Sequence, residues 1–445
     1  MTKHRDCREI DSVTRRALIA ARARKNPHER FNSLLHHLTY NLVSKCLDEM
    51  SKSTSPGIDK MDVKTVQKNL DWLLPPILSK IHKGQYQPPP VKQVYIPKAK
   101  GGKRPIGIPT VLDRAIQAAI RRILEEIYEQ DFVKDSFGFR PKLSCHHALA
   151  TVNEVTHKWR SNYVLEVDIR DFFGSLDHGW LRRFLEHRIG DRRILRLIES
   201  WLKAGVIEEG RWQESERGSP QGGPISPLLS NIYLHYVLDL WWEKKVKRRL
   251  QGRSYLVRYC DDFCIFFENP AEMKKAMPLL QARLSEFGLK LAEEKTHQTD
   301  LNPRGRRRKD RRAMEFLGFK IFRTRNRQGT GFKTIFQIER SRYTSSKLKL
   351  KEQFHRGMHW DLKSQARSIN RILVGLYNYY GVSGNSERLQ SLHHYCELTW
   401  KHVLSHRSNK AFVSWESMDK ILKEYPIKRP RIRYGYSQLR SLAML

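Results

Sequence analysis

Tyr259-Cys260-Asp261-Asp262 decides how the chain is read. Tyr255-Leu256-Val257 precedes it and Phe263-Cys264-Ile265-Phe266-Phe267 follows, so two short apolar strands meet at a tight turn that carries the acid pair. Adjacent carboxylates repel, and a hard divalent cation is their natural partner. Alone, an Asp pair at a hairpin is more often a solvated turn than a metal site. A second acid placed the same way tips the balance: Tyr163-Val164-Leu165-Glu166-Val167 reads as a strand ending at Asp168, followed by Ile169-Arg170-Asp171-Phe172-Phe173. Two strands that deliver carboxylates from their ends can hold two metal ions between them. Two-metal nucleotidyl transfer needs that arrangement, one ion for a 3′-hydroxyl and one for the triphosphate and leaving pyrophosphate.

The composition fits a polyanion partner. The 445 residues carry 83 Lys and Arg against 47 Asp and Glu, a formal net charge of +36. Each phosphate neutralised by such a surface releases counterions. The length suggests roughly two to four domains, and a hydrophobic content of 39% suffices for real cores. No apolar run approaches membrane-spanning length and the start, Met1 to Glu9, is polar, so no membrane is expected and a cytoplasmic, in bacteria nucleoid-associated, location is. The six cysteines are scattered without paired spacing, which predicts reduced thiols and neither zinc site nor disulfide framework. His393-His394 with Cys396 reads as helix surface.

Residues 1–90 read as helical and basic, with Phe31, Leu34, Leu35, Leu38 and Leu42 at helical spacing and a second helical pattern from Val63 to Ile81 interrupted at Pro75-Pro76. Their charges suit a solvated face or template contact equally. Val94 to Lys98 and Arg104 to Pro109 read as two strands around Lys100-Gly101-Gly102-Lys103, a hairpin whose Lys98 and Arg104 would suit a triphosphate. Ile116, Ile120, Ile123 and Ile127 mark a helix over Asp113–Gln130. Phe137-Gly138-Phe139-Arg140-Pro141 is a loop, and Leu181–Leu202 a helical stretch rich in Arg. Gly218-Ser219-Pro220-Gln221-Gly222-Gly223 then opens a helix from Leu228 to about Arg249; it is an ordinary loop or a place where backbone and Gln221 approach a ligand. Met273–Phe287 reads as a helix, Arg304–Arg312 as a basic loop, solvated or touching nucleic acid, and the chain as helical from about Leu348 to its end.

In order, Arg104 to Pro109, Phe137 to Pro141, Asp168 to Phe173, Ser219 to Asn231, Tyr259 to Asp262, Gly288 with Lys295, and Phe316-Leu317-Gly318-Phe319 resemble the reverse transcriptases, or maturases, encoded by bacterial group II introns. Asn378 to Asn385 and Pro426 to Arg433 extend the likeness over nearly the whole chain. The resemblance implies an α+β right-hand polymerase: an N-terminal helical extension and start of the fingers (1–90), fingers (91–160), palm (161–320) and a helical thumb or maturase-like RNA-binding region (321–445). It implies that Asp168, Asp261 and Asp262 are catalytic and hold two Mg²⁺ ions, with Mn²⁺ an alternative, and that Lys295 donates a proton to pyrophosphate. By the same likeness Lys98 and Arg104 meet the triphosphate of a dNTP, Gln221 and Gly222 line the nucleotide site, and Phe316, Leu317, Gly318 and Phe319 form a primer grip. Phe173, five residues after Asp168, stands where the family excludes a ribose 2′-hydroxyl by bulk.

Two positions depart from the family pattern: Cys260 stands where Ala is usual and Gly174 where many relatives have Asp. Neither removes a metal ligand. The chain ends soon after the thumb-like region without a Cys- and His-rich nuclease segment, which implies the compact class of these proteins. The expected function is an RNA-directed DNA polymerase that uses structured RNA as template, a DNA or RNA primer and dNTPs, and binds intron RNA to assist splicing and retrohoming. A host-adopted relative in DNA repair or phage defence is one alternative. Another, an RNA-binding splicing cofactor with a vestigial polymerase site, is opposed by the intact acid set.

Overall fold

The computed structural model describes residues 3–97, 102–208, 211–213, 218, 222–302, 312–326, 328–408 and 411–443. In chain order its strands are β1 (Val91–Pro97), β2 (Lys103–Ile108), β3 (Tyr163–Val167), β4 (Ile169–Arg170), β5 (Val206–Glu208), β6 (Arg211–Gln213), β7 (Ser254–Tyr259), β8 (Asp262–Phe267), β9 (Lys290–Leu291), β10 (His297–Asp300), β11 (Met314–Phe316), β12 (Phe319–Arg325) and β13 (Phe332–Ile338). They form a four-stranded antiparallel sheet in the order β10-β3-β8-β7, a four-stranded sheet β2-β1-β5-β6, a three-stranded sheet β11-β12-β13 and the pair β4-β9. Helices surround these sheets and make up most of the remainder. The fold is α+β and consistent with a right-hand polymerase.

The central sheet owes its position to strands that are apolar on both faces. Successive side chains of a strand point to opposite faces. In β8, Phe263, Ile265 and Phe267 enter one buried cluster, which they share with the helix Val111–Tyr128 and the N-terminal helices. Cys264 and Phe266 enter a second, shared with the three-stranded sheet and the C-terminal helices. Leu165 and Val167 of β3 face the first cluster and Val164 the second. Burying Phe263, Ile265 and Phe267 is worth on the order of 5–9 kcal/mol together. The acids at the ends of β3 and β8 are therefore mounted on the sheet that both cores grip.

Several boundaries differ from those the sequence suggested. The Val63–Ile81 pattern does not break at Pro75-Pro76 but at Asn69, whose side-chain amide donates to the Thr65 carbonyl at 2.9 Å and ends the helix Val63–Lys68. The next helix, Leu70–His82, runs through both prolines. They lie on its exposed side, so water can serve the Asp71 and Trp72 carbonyls that lose their partners. Leu181–Leu202 is two helices, His178–Glu186 and Arg192–Leu202. Asp191 stands between them, and its Oδ2 accepts the Leu34 and Leu35 backbone N–H groups at 2.9 and 3.0 Å. The helix expected from Leu228 begins at Ser226 and turns π-helical over His235–Asp239 and Trp242–Val246. The C-terminal helices begin at Arg340, and β12 and β13 before them had no counterpart in the reading of the sequence. Among the described residues no helix is long and apolar enough to cross a membrane.

Candidate active site

The site is built on the hairpin tip between β7 and β8. Tyr259 pairs with Asp262, so Cys260 and Asp261 form a two-residue turn, and Cys260 takes a left-handed backbone with φ 60°. Gly138, from the Phe137–Pro141 loop, packs beneath: a Cβ there would lie 2.5 Å from both the backbone N and the Sγ of Cys260. No larger residue fits without moving the turn. Burial pushes the Cys260 thiol up to about 12, so it stays protonated and inert at neutral pH.

Asp168 follows β3, beside the β8 end that carries Asp262, in a sheet where Val167 pairs with Phe263. Its backbone carbonyl accepts the Ala292 N–H at 2.9 Å, and Ile169 pairs with Leu291, which brings the turn Glu293–Lys295 alongside. Lys295 Nζ then reaches Asp168 Oδ2 at 2.6 Å. Burial, above all, raises the Asp261 carboxyl; Asp168 adds to the rise, and the Arg104 guanidinium opposes it. Asp262 is pushed up to about 7 by burial and then by the negative charges of Asp261 and Asp168, against a hydrogen bond from the Leu317 backbone N–H. The three acids thus share one electrostatic site, and Arg104 on β2 reaches it.

Three half-buried carboxylates, of which Asp261 and Asp262 are raised by burial and by the negative charge of their neighbours, are a hard-oxygen donor set short of positive charge. A divalent cation fits that chemistry. Among the described residues no three His, Cys, Asp or Glu side chains are gathered into a ready metal cage, and Asp168 is engaged by the Lys295 ammonium. His393 and Cys396 form no such cluster either: His393 sits beside Glu397 and Cys396 is buried. The five cysteines Cys46, Cys145, Cys260, Cys264 and Cys396 are free.

Phe173 is half-buried in the short helix Phe172–Ser175, its ring edge-to-face with Phe172 at 5.4 Å. Gly222 is exposed with φ 134°, and a Cβ on it would lie 2.3 Å from the Gly107 carbonyl, so its backbone lies against β2. Gly174 is accounted for by crowding: a Cβ would meet Asp171 Oδ2 at 2.3 Å, and Gly218 is so close that a Cβ on it would lie 3.0 Å from the Gly174 Cα. Phe316 and Phe319 point into the core, so what the β11–β12 turn offers the site is the Leu317–Gly318 backbone, with φ 52° and 75°. Lys98, Gln221 and residues 304–311 of the basic run lie outside the described residues.

Sequence reading missed the support beneath the tip. Arg258, fully buried, donates from Nε and Nη2 to Asp239 at 2.8 and 2.6 Å, from Nη1 to Asn231 at 2.9 Å and the Cys260 carbonyl at 3.0 Å, and from Nη2 to Ser136 at 2.7 Å. Asn231 in turn donates to the Gly138 carbonyl at 2.7 Å. Asp239 belongs to the first π-helical turn. The available signal was one lone charge in each of two apolar runs, Val257-Arg258-Tyr259 and Val237-Leu238-Asp239-Leu240. Glu166 was missed as well: buried in β3, it accepts Thr299 Oγ1 at 2.6 Å and the Glu315 N–H at 2.8 Å, and adds to the charge raising Asp262.

Residues 96–321, the span that holds all of these acids, match the model of the family "Reverse transcriptase (RNA-dependent DNA polymerase)". The chain belongs to the reverse transcriptase family. It is an RNA-directed DNA polymerase by that membership. It is 34% identical to the protein YkfC of Escherichia coli over 62% of this chain and 78% of that protein. It is 43% identical to the group II intron-encoded protein LtrA of Lactococcus lactis over 37% of this chain and 28% of LtrA. A 91 kDa protein in a cob intron of Schizosaccharomyces pombe is 34% identical over 44% of this chain and 23% of its own length. The stretches shared with the two intron proteins cover less than a third of each, whereas most of YkfC is matched. Reverse transcriptases of this family generally use divalent metal ions, an RNA template and a nucleic-acid primer.

Proposed function

We propose that the chain extends a DNA or RNA primer on a structured RNA template by two-metal nucleotidyl transfer, and that Asp168, Asp261 and Asp262 hold the two ions, Mg²⁺ or in its place Mn²⁺. The observation that carries this reading is the electrostatic state of the hairpin tip: Asp262, pushed up to about 7 by burial and by its two acid neighbours, is a carboxylate in want of a cation. When bound, the divalent ions supply activation of the 3′-hydroxyl and neutralisation of the pyrophosphate leaving group. The protein's own residues do the rest. Arg104, already within charge reach of Asp261, takes the triphosphate of the incoming dNTP together with Lys98. Gln221 and Gly222 line the nucleotide site, and the Gly222 backbone lies against Gly107 of β2. Phe173 excludes a 2′-hydroxyl. Lys295 leaves Asp168 as the cation binds and serves as proton donor to pyrophosphate, and the Leu317–Gly318 backbone, on a turn held up by the Phe316 and Phe319 rings, grips the primer.

We further propose the division into N-terminal extension, fingers, palm and thumb at about 1–90, 91–160, 161–320 and 321–445, with the sheet β11-β12-β13 as the joint between the last two. The RNA partner is a group II intron RNA that the protein helps to fold, splice and insert, in a bacterial cytoplasm and at its nucleoid. The likeness to LtrA and the +36 charge support this. Primer extension on an RNA template with Mg²⁺ and dNTPs, wild type against Asp261→Ala/Asp262→Ala, is the test. Extension by wild type alone is expected. If neither extends while both bind structured RNA tightly, an RNA-binding cofactor replaces the polymerase.

A further inference from the structure

Gly218 has both of its backbone polar groups bonded to one short stretch of chain. Its N–H donates to the Leu176 carbonyl at 2.8 Å, and its carbonyl faces His178 Nε2 at 2.6 Å. A carbonyl oxygen only accepts, so Nε2 carries the hydrogen and donates it. Gly218 is buried with φ 86°, and a Cβ on it would lie 2.8 Å from the Phe173 carbonyl and 3.1 Å from the Gly174 carbonyl. Only a glycine lets the two backbones come this close. All of these contacts come from residues 173–178, a stretch that begins at the ring proposed to exclude a 2′-hydroxyl.

Gly218 is also where the sequence enters Ser219-Pro220-Gln221 on its way to Gly222 and Gly223. At the far end the Gly222 backbone lies against Gly107 of β2, and buried Gly223 lies against Gln117, whose Oε1 would be 2.6 Å from a Cβ on it. Packing sets that end. The near end is set by hydrogen bonds, one of them from a side chain on a firm mount. His178 is the first residue of the helix His178–Glu186, which Asp177 caps by accepting the Trp180 N–H at 2.8 Å. Leu181, Phe184 and Leu185 hold the helix in the buried cluster that Phe263 and Ile265 also enter. The imidazole thus fixes where the loop starts relative to Phe173.

We propose that His178 is a positioning residue for the incoming nucleotide: through the Gly218 carbonyl it pins the loop that carries Gln221 and Gly222 to the Phe173 segment. The spacing between loop and ring decides whether a 2′-hydroxyl fits, so His178 sets sugar discrimination by holding that spacing. The imidazole takes no part in the chemical step. This rests on Phe173, Gln221 and Gly222 lining the nucleotide site in the polymerase reading.

His178→Ala removes the donor, and His178→Gln puts an amide N–H in its place. The measurement is single-nucleotide addition with a dNTP and, separately, the matching rNTP, at saturating template–primer and Mg²⁺, alongside the Kd of the template–primer. His178→Ala is expected to raise the dNTP KM about 3–10-fold, the worth of one neutral hydrogen bond. Its kcat should stay within about twofold, because the loop is ordered when the nucleotide binds and the loss falls on binding. The preference for dNTP over rNTP should fall several-fold while the template–primer Kd holds, and His178→Gln should recover most of both losses. Phe173→Ala in the same assay reads the ribose wall directly. If it relaxes the preference and His178→Ala does not, the inference fails while the polymerase reading stands. Two other results overturn it: a glutamine variant as defective as the alanine one, which would make the ring's bulk the cause, or a weakened template–primer Kd in His178→Ala, which would mean general loosening. A wild type that extends no primer sinks the polymerase reading and the inference with it.

Discussion

Arg258→Met tests whether the buried guanidinium is what holds the acid turn. All five of its N–H groups are used: two on Asp239 and one each on Asn231, the Cys260 carbonyl and Ser136. Arg258 and Asp239 are both without exposure, so removing one strands the other's charge in the interior, at about 3–5 kcal/mol. Removing both together, as in Asp239→Leu/Arg258→Met, takes away the stranded charge. What remains is three unmet acceptors on Asn231, Ser136 and Cys260, about 1 kcal/mol each. The double variant is therefore expected to lose less than the sum of the two singles, with a coupling on the order of 2–3 kcal/mol or more. Thermal melts would show Arg258→Met lower by roughly 5–10 °C and the double variant partly recovered. Activity should separate from stability. The Cys260 carbonyl has lost its donor in both proteins, and a displacement of the turn by about 1 Å costs on the order of 100-fold in rate. The double variant should thus melt higher than Arg258→Met and yet extend primers no better. An Arg258→Met protein as stable as wild type, or losses that simply add, would refute the network as the turn's support.

Three further outcomes follow from the same geometry. Asp262, near 7 when folded, keeps a proton that the unfolded chain has lost, so the metal-free protein should lose stability as pH rises from about 4 to about 7; melts across that range should show the slope in wild type and a flatter profile in Asp262→Asn. Phe173→Ala should admit ribonucleotides by opening the wall beside Asp168, measured as rNTP against dNTP incorporation, and unchanged discrimination would remove Phe173 from that role. Gly138→Ala places a methyl 2.5 Å from the Cys260 backbone N, so it should cost about 1–3 kcal/mol and depress extension, and adding Cys260→Ala should not restore either, because the clash with the backbone remains; full rescue by the smaller side chain would show that only the thiol was in the way.

What the sequence makes legible is local and periodic. The two strands around Tyr259–Asp262, the strand ending at Asp168 and the helix marked by Ile116, Ile120, Ile123 and Ile127 all announce themselves by spacing and by what terminates them, and the structure has each of them. The Leu70–His82 helix shows the limit of a local rule. Pro75-Pro76 reads as a break because two amide donors are missing, but on a solvent-facing side their absence is cheap. Less legible still is anything whose cause lies far along the chain. β8 is apolar at every position from Phe263 to Phe267, so no alternation in the sequence reveals that its two faces serve two different cores. Arg258 shows as an odd charge in an apolar strand, but its partner Asp239 lies 19 residues earlier, in a π-helical turn that the sequence does not announce. Leu317 is an ordinary residue in Phe316-Leu317-Gly318-Phe319 until the fold puts its carbonyl under the Tyr379 hydroxyl, 62 residues further along the chain. The acids of the site could be found from sequence because chemistry dictates their residue type; their supports could not, because a backbone amide, a carbonyl or a hydroxyl from many residues can do the same work. The supports are thus where a chain can vary while its Asp residues stay, and Cys260, Gly174 and the Gly138 packing beneath the turn are the places where this chain's own solution is visible.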